Sequence, residues 1–161
     1  MSAIKLLFIS LLSATFSMSA FSKNTSHINK SNIHGLWQCQ GSSFNAKTNM
    51  TIKGDYKVLF MANGSSTGKG QFFLSVLGIP EIEYRLVDEA KWAIKLDDLF
   101  FSSSNFSLKN MSHPEFEQML NISALMPKKI TDSVKILKLT KTQLQVQSKK
   151  DNRKFSCVKL S

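Results

Sequence analysis

Apolar and polar residues alternate along much of the chain, in short stretches separated by turn residues. In 82–86 and 92–96, apolar residues occupy the even positions, and charged residues fill most of the odd ones. A period of two is typical of half-buried strands with one solvated face. Further short strands are predicted over 35–40, 71–77, 99–108, 143–147 and 155–158. The pattern therefore predicts an all-β domain of eight to ten antiparallel strands, forming a barrel or half-barrel.

Glycine-containing turn signals divide these strands. Gly54-Asp55 predicts a tight hairpin between strands over 49–53 and 56–61. A second turn is predicted over 63–68, and the residues 78–80 end the apolar run that precedes them.

The segment 99–108 carries three phenylalanines, and strict alternation sets which of them share a face. Phe100 and Phe106 are both even-numbered, so we expect them on one face together with Leu108. Phe101 is then predicted on the other face.

A single helix is predicted around residues 114–125. Ser112 supplies a hydroxyl cap, and Pro114 stands in the first turn, where a missing backbone N–H costs nothing. Phe116 and Met119 then recur at helical spacing, together with Leu120. We expect this apolar stripe to pack as a lid on the mouth of the barrel or sheet.

The first 22 residues have the order of an export signal. Lys5 precedes an apolar core over 6–12, and small residues lead to an expected cleavage near Ser22. The apolar run is much shorter than the roughly 20 residues of a spanning helix, so no transmembrane segment is expected in the mature form. Residues 23–33 are polar and predicted as a flexible lead-in, and 34–161 as one domain. Because the seven Asn-x-Ser/Thr triplets would cover so small a domain with glycans in a eukaryotic pathway, we favour a bacterial periplasmic or secreted protein.

The chain contains two cysteines, Cys39 and Cys157, near the two ends of the mature domain. An exported protein meets an oxidising compartment, which favours a disulfide over a thiolate nucleophile or a metal pair. In a closed antiparallel sheet the first and last strands are neighbours, so the bond is predicted to join them.

Several short motifs in this order resemble those of bacterial exported lipocalin-like domains, members of the calycin group. They are the G-x-W motif at Gly35-Leu36-Trp37 and the strand and turn signatures over 56–64, 92–99 and 136–146. The resemblance implies an antiparallel barrel whose floor is closed by Trp37. It also implies an arginine from the final strand against that tryptophan, and Arg153 is the residue available.

Basic residues outnumber acidic ones, which gives a formal net charge of +10. The excess is concentrated between residues 127 and 161. Such a surface suits an acidic protein, anionic headgroups or anionic polymers, and it is equally compatible with a solvated face that maintains solubility. Nucleic acid is not expected, because the protein leaves the cytoplasm and its lysines are not interleaved with exposed aromatic residues.

Catalytic and metal-binding patterns are poor. His27, His34 and His113 lie far apart in the sequence, at no metal-ligand spacing. Asp97 and Asp98 are adjacent, so on a strand they would point to opposite faces and could not act as an acid-base pair. We therefore expect neither an enzyme nor a bound metal or cofactor.

Two functions from different classes remain open. The first is a binding protein for an apolar small molecule, with a pocket between barrel and helix walled by Trp92, Phe106, Phe116 and Met119. The second is a periplasmic inhibitor or immunity-type protein, whose basic C-terminal third would favour an acidic partner protein.

Overall fold

The computed structural model describes residues 28–45, 49–116, 129–150 and 152–161, and within them eight antiparallel strands close into a barrel. The strands are β1 (Gly35–Asn45), β2 (Met50–Phe60), β3 (Ser65–Val76), β4 (Ile82–Lys95), β5 (Asp98–Asn110), β6 (Ile130–Leu139), β7 (Gln143–Ser148) and β8 (Lys154–Lys159). Each strand pairs with the next along the chain, and β8 returns to β1. The predicted all-β antiparallel fold is confirmed, in its closed form.

A disulfide reinforces the seam at which the barrel closes. Strands β1 and β8 pair over only four residue pairs, from Trp37 opposite Lys159 to Gln40 opposite Ser156. Within this seam Cys39 stands directly opposite Cys157, with their Cα atoms 4.0 Å apart and the two sulfurs bonded. The predicted bond between the first and last strands is therefore confirmed.

Strand β2 runs unbroken through Gly54-Asp55, so the hairpin predicted there is wrong. Gly54 pairs with Gly41 on one side and with Phe72 on the other, as a regular ladder position. A Cβ at Gly54 would lie 2.7 Å from the Phe72 ring, which shows that the missing side chain makes room for this ring. The glycine therefore serves packing across strands and not a turn. The turn predicted over 63–68 is shorter than expected, because β3 begins at Ser65, and the turn predicted over 78–80 follows the end of β3 at Val76.

A β-bulge in β5 changes which phenylalanines face the barrel interior. Ala90 of β4 pairs with Ser103, but the preceding Glu89 pairs with Asn105, so β5 has one extra residue at this point. The extra residue reverses the alternation, and both Phe101 and Phe106 line the interior. Phe100 lies on the outer face and is partly exposed. The prediction that Phe100 and Phe106 share a face is therefore wrong.

The predicted helix around 114–125 falls mostly outside the described residues. Residues 114–116 have helical backbone, and residues 117–128 are not described. Within the described ranges, no helix has the length and apolar character needed to cross a membrane.

A short 3-10 helix, η1 (Lys30–Ile33), closes one end of the barrel. Ile33 and Trp37 are completely buried there. The indole Nε1 of Trp37 donates to the carbonyl oxygen of Ile33 over 2.6 Å, and Nζ of Lys30 donates to the carbonyl oxygen of Ile94 over 3.2 Å. Residues 30–33, which fall within the predicted lead-in, therefore form part of the packed floor, and Ile28 packs against the same cluster.

The core divides into two clusters, one at each end of the barrel. The larger cluster surrounds Ile33 and Trp37 at the end closed by η1, which we call the floor. The smaller cluster consists of Leu74, Ile82 and Tyr84 on β3 and β4. Between the two clusters the barrel interior is not filled by side chains, and this gap positions the candidate site.

Candidate ligand-binding cavity

A cavity of about 460 Å³ occupies the barrel interior above the floor. All eight strands contribute to its wall through their inward-facing residues, most of them apolar. The apolar residues that form this wall are Cys39, Ile52, Val58, Phe60, Phe72, Leu86, Ala90, Leu99, Phe101, Phe106, Ile130, Val134, Leu144, Val146, Phe155 and Cys157. A volume of this size lies within the range of pockets that take small molecules, about 300–1,000 Å³.

Glycines on the inner face keep this cavity from being filled by aromatic rings. The ring of Phe72 covers Gly54, and the ring of Phe155 covers Gly41, so closely that a Cβ at either glycine would collide with the ring. Each ring therefore occupies the space that a side chain at the glycine would need. Both aromatic surfaces are presented to the cavity without closing it.

One polar pair lies within the apolar wall. The Tyr56 hydroxyl on β2 donates to Oδ1 of Asp88 on β4, across the intervening strand β3. Gly68 of β3 lies between them, opposite both Val58 and Asp88, and a Cβ there would collide with the Tyr56 hydroxyl. The pair therefore depends on the absence of a side chain at Gly68.

Burial raises the pKa of the Tyr56 hydroxyl well above its ordinary value, and the hydrogen bond and negative charge of Asp88 raise it further. Tyr56 consequently remains protonated at neutral pH and acts as a donor to Asp88. Within the described part of the wall, Asp88 is the only acidic residue and Arg153 the only basic one.

Two buried serines add further polar atoms to the wall. Ser66 and Ser103 are both nearly inaccessible to solvent. Oγ of Ser103 donates to the carbonyl oxygen of Glu89 over 3.0 Å, which satisfies the hydroxyl locally. These serines interrupt the apolar surface close to the β-bulge in β5.

The four residues predicted as pocket walls lie in different places. Phe106 lines the cavity. Trp92 lies at the floor, where its ring meets Phe60 edge-on at 5.6 Å and its Nε1 donates to the carbonyl oxygen of Ser65 over 2.9 Å. Phe116 packs against the smaller core cluster, and Met119 is outside the described residues.

The floor contains the predicted tryptophan and a different cation from the one expected. Nζ of Lys159 lies 5.3 Å from the centre of the Trp37 ring and also donates to the carbonyl oxygen of Asn32 over 3.1 Å. Arg153 precedes β8, at the end of that strand remote from Trp37, and borders the cavity. The position against Trp37 that the resemblance assigned to Arg153 is therefore filled by Lys159.

The histidines of the described chain lie away from the cavity wall. His34 contacts the Trp92 ring, with a centroid distance of 5.7 Å. His113 forms an exposed pair with Glu115, and Nδ1 lies 3.0 Å from the carboxylate. A backbone hydrogen bond, followed by the contact with His113, lowers the pKa of Glu115. Among the described residues, no three histidine, cysteine or acidic side chains are grouped to hold a metal ion.

Sequence reasoning missed the Tyr56–Asp88 pair. A signal for Asp88 was present, because it has the same parity as Tyr84, Leu86 and Trp92, which marks it as an inward position.

Comparison with known proteins adds no relative: no protein-family model matches the chain, and no curated protein matches it significantly.

Proposed function

We propose that this protein is an exported lipocalin-like binding protein that holds a small apolar molecule in its barrel. The observation that carries the proposal is the unfilled apolar cavity of about 460 Å³, enclosed by all eight strands and closed at one end. Transfer of apolar groups from water into such a space is favourable by about 0.8 kcal/mol per methylene. Twelve methylenes would gain about 10 kcal/mol, from which association costs subtract at least about 4 kcal/mol. The remaining free energy, at most about 6 kcal/mol, corresponds to a dissociation constant of tens of micromolar or weaker.

The rigidity of the barrel supports the same proposal. The floor is fixed by the hydrogen bond from Trp37 to Ile33, and the closing seam is fixed by the Cys39–Cys157 bond. A cavity that is already formed loses little conformational entropy when a ligand enters. The disulfide also agrees with an oxidising compartment, such as the periplasm or the exterior of a bacterium. We accordingly assign the first 22 residues as the signal that directs the chain there.

The proposal is tested by filling the cavity from its wall. Ala90 lines the cavity, whereas Ala93 on the same strand is exposed on the outer face. We expect Ala90→Phe to weaken binding of the neutral dye N-phenyl-1-naphthylamine at least tenfold, because the new ring occupies ligand volume. Ala93→Phe is the matched control and should bind the dye as the wild type does.

Dye fluorescence titrations, with circular dichroism to verify folding, provide the measurement. Equal dye affinity in the folded wild type and the folded Ala90→Phe variant would place any binding outside the barrel. Absence of dye binding by the wild type would refute the proposed function outright.

A second candidate is a module that binds an acidic protein. It is favoured by an exposed feature of the outer face, where Nζ of Lys95 and Nζ of Lys149 each lie 5.8 Å from the centre of the partly exposed Phe100 ring. Lys149 is also ion-paired with Asp98 over 2.5 Å, so the Phe100 ring and Lys95 are the groups that would contact an acidic surface. Phe100→Ser should then abolish salt-sensitive capture of a partner from periplasmic extract while leaving dye binding unchanged. Capture that is equal in the wild type and the variant would reject this face as the contact.

A further inference from the structure

Asp88, which is partly buried, places a carboxylate in the mostly apolar cavity wall, close to the serines Ser66 and Ser103. On β4 it lies between Leu86 and Ala90, and it pairs with Phe106 of β5. A carboxylate removed from water is costly unless hydrogen-bond donors surround it. The chain supplies one such donor, the Tyr56 hydroxyl, by leaving position 68 without a side chain.

The second carboxylate oxygen of Asp88 is left for another donor. Tyr56 occupies Oδ1, and within the described ranges no protein group donates to Oδ2. An ionised carboxylate only accepts hydrogen bonds, so its natural complement in the cavity is a group that carries a proton. A hydroxyl or an ammonium group of a ligand meets this requirement, and a carboxylate does not.

We propose that the cavity selects apolar molecules that carry a hydrogen-bond donor, a hydroxyl or an amine, and places that group against Oδ2 of Asp88. This inference rests on the proposed function and names its ligand class. A hydrogen bond to a charged acceptor is among the stronger ones in proteins, and it strengthens further in an apolar environment. A fatty acid entering with its carboxylate first would instead set two negative charges side by side.

The net charge of the protein alone would favour the opposite ligand, the fatty acid. A formal charge of +10, together with Arg153 beside the cavity, attracts anions. Surface charges are screened beyond about 8–10 Å at physiological salt, whereas two groups in direct contact within the barrel are screened much less. Arg153 lines the same wall but already interacts with another group of the protein, so we expect the contact at Asp88 to decide the ranking.

The test uses three ligands with the same alkyl chain: dodecanol, dodecylamine and dodecanoate. Each is titrated below its aggregation concentration against wild-type protein loaded with N-phenyl-1-naphthylamine, at about pH 8, where the acid is ionised. We expect dodecanol and dodecylamine to displace the dye at concentrations at least tenfold lower than dodecanoate does. Equal displacement by all three, or strongest displacement by dodecanoate, would overturn the inference and leave the proposed function standing. Failure of the dye to bind would overturn the proposed function itself.

Two variants locate the selectivity. Asp88→Asn should reduce the preference over dodecanoate to less than about threefold, because the neutral amide no longer repels the acid and binds an amine weakly. Asp97→Asn makes the same change of charge in the exposed β4–β5 turn and should keep the full preference. Dye binding and circular dichroism identify a variant that is not folded, and if Asp88→Asn is not folded, Asp88→Ser, which also removes the charge, is measured in its place. Loss of the preference in Asp97→Asn, or its persistence in a folded Asp88→Asn or Asp88→Ser, would refute the assignment to Asp88.

Discussion

Removal of the Cys39–Cys157 bond should strongly destabilise the barrel. The bond joins residues separated by 118 positions, so it closes almost the whole described domain into one loop. In the loop-closure model, the entropy that such a bond removes from the unfolded chain corresponds to about 5 kcal/mol at 25 °C. The native state also depends on it, because β1 and β8 share only four residue pairs.

The double variant Cys39→Ala, Cys157→Ala is therefore expected to lose about 3 to 5 kcal/mol of unfolding free energy. Since small domains have only about 5–15 kcal/mol in total, a barrel that is unfolded even without urea also agrees with this reasoning. Urea denaturation followed by tryptophan fluorescence and circular dichroism measures the difference.

Val158→Thr is the matched control for a substitution on the last strand. Val158 lies next to Cys157 but is exposed, and threonine keeps its branched shape. We expect this variant to stay within about 0.5 kcal/mol of the wild type. A double cysteine variant that also stays within about 1 kcal/mol would refute the view that the bond holds the seam closed.

Two further predictions concern the floor and the polar pair. Trp37→Phe removes the indole N–H that donates to the carbonyl oxygen of Ile33 and leaves a void. The variant should therefore lose about 2–4 kcal/mol of unfolding free energy, measured by urea denaturation. A loss below about 1 kcal/mol would contradict the role of η1 as part of the core. The pKa of Tyr56 is raised by burial and by Asp88, so its contribution to stability is complete below about pH 10 and is lost as the pH rises above that value. Wild-type protein should accordingly lose more unfolding free energy between about pH 9 and pH 11 than Tyr56→Phe does, and parallel losses in the two proteins would contradict the burial of this hydroxyl.

The sequence was sufficient for the architecture, because the alternation of apolar residues and the placement of the two cysteines each have a direct geometric meaning. Apolar residues at even positions of 82–94 mark one face of β4, and the structure buries that face. A closed antiparallel sheet makes its first and last strands neighbours, and this predicted the bond between the two cysteines near the ends of the domain. Both conclusions needed no information about distant packing.

The sequence was not sufficient for the interior, because a single inserted residue reverses a strand's two faces. The bulge in β5 arises where Ala90 pairs with Ser103 and Glu89 with Asn105, and no local signal in a run of serines marks it. Gly54 likewise resembles a turn residue in sequence, and only its pairing with Phe72 reveals that it makes room for a ring. Such features depend on partners that lie far away along the chain.

The cation at the floor was within reach of sequence reasoning. If Cys39 and Cys157 are directly opposite in antiparallel strands, moving two residues along each strand sets Trp37 opposite Lys159. This is the register found, and it excludes Arg153 from the floor. The predicted disulfide was thus enough to identify Lys159 as the neighbour of Trp37, whereas the resemblance suggested an arginine.

Titration calorimetry of dodecanol at several temperatures tests the central claim most directly, since it reports stoichiometry and heat capacity together. A ligand enclosed in the cavity of about 460 Å³ should bind once per chain. Its transfer from water should give a negative heat-capacity change. We therefore predict one site with a dissociation constant of tens of micromolar and a heat of binding that becomes more favourable on warming. Binding of several molecules per chain, or no heat of binding at any temperature, would contradict a barrel built to hold an apolar ligand.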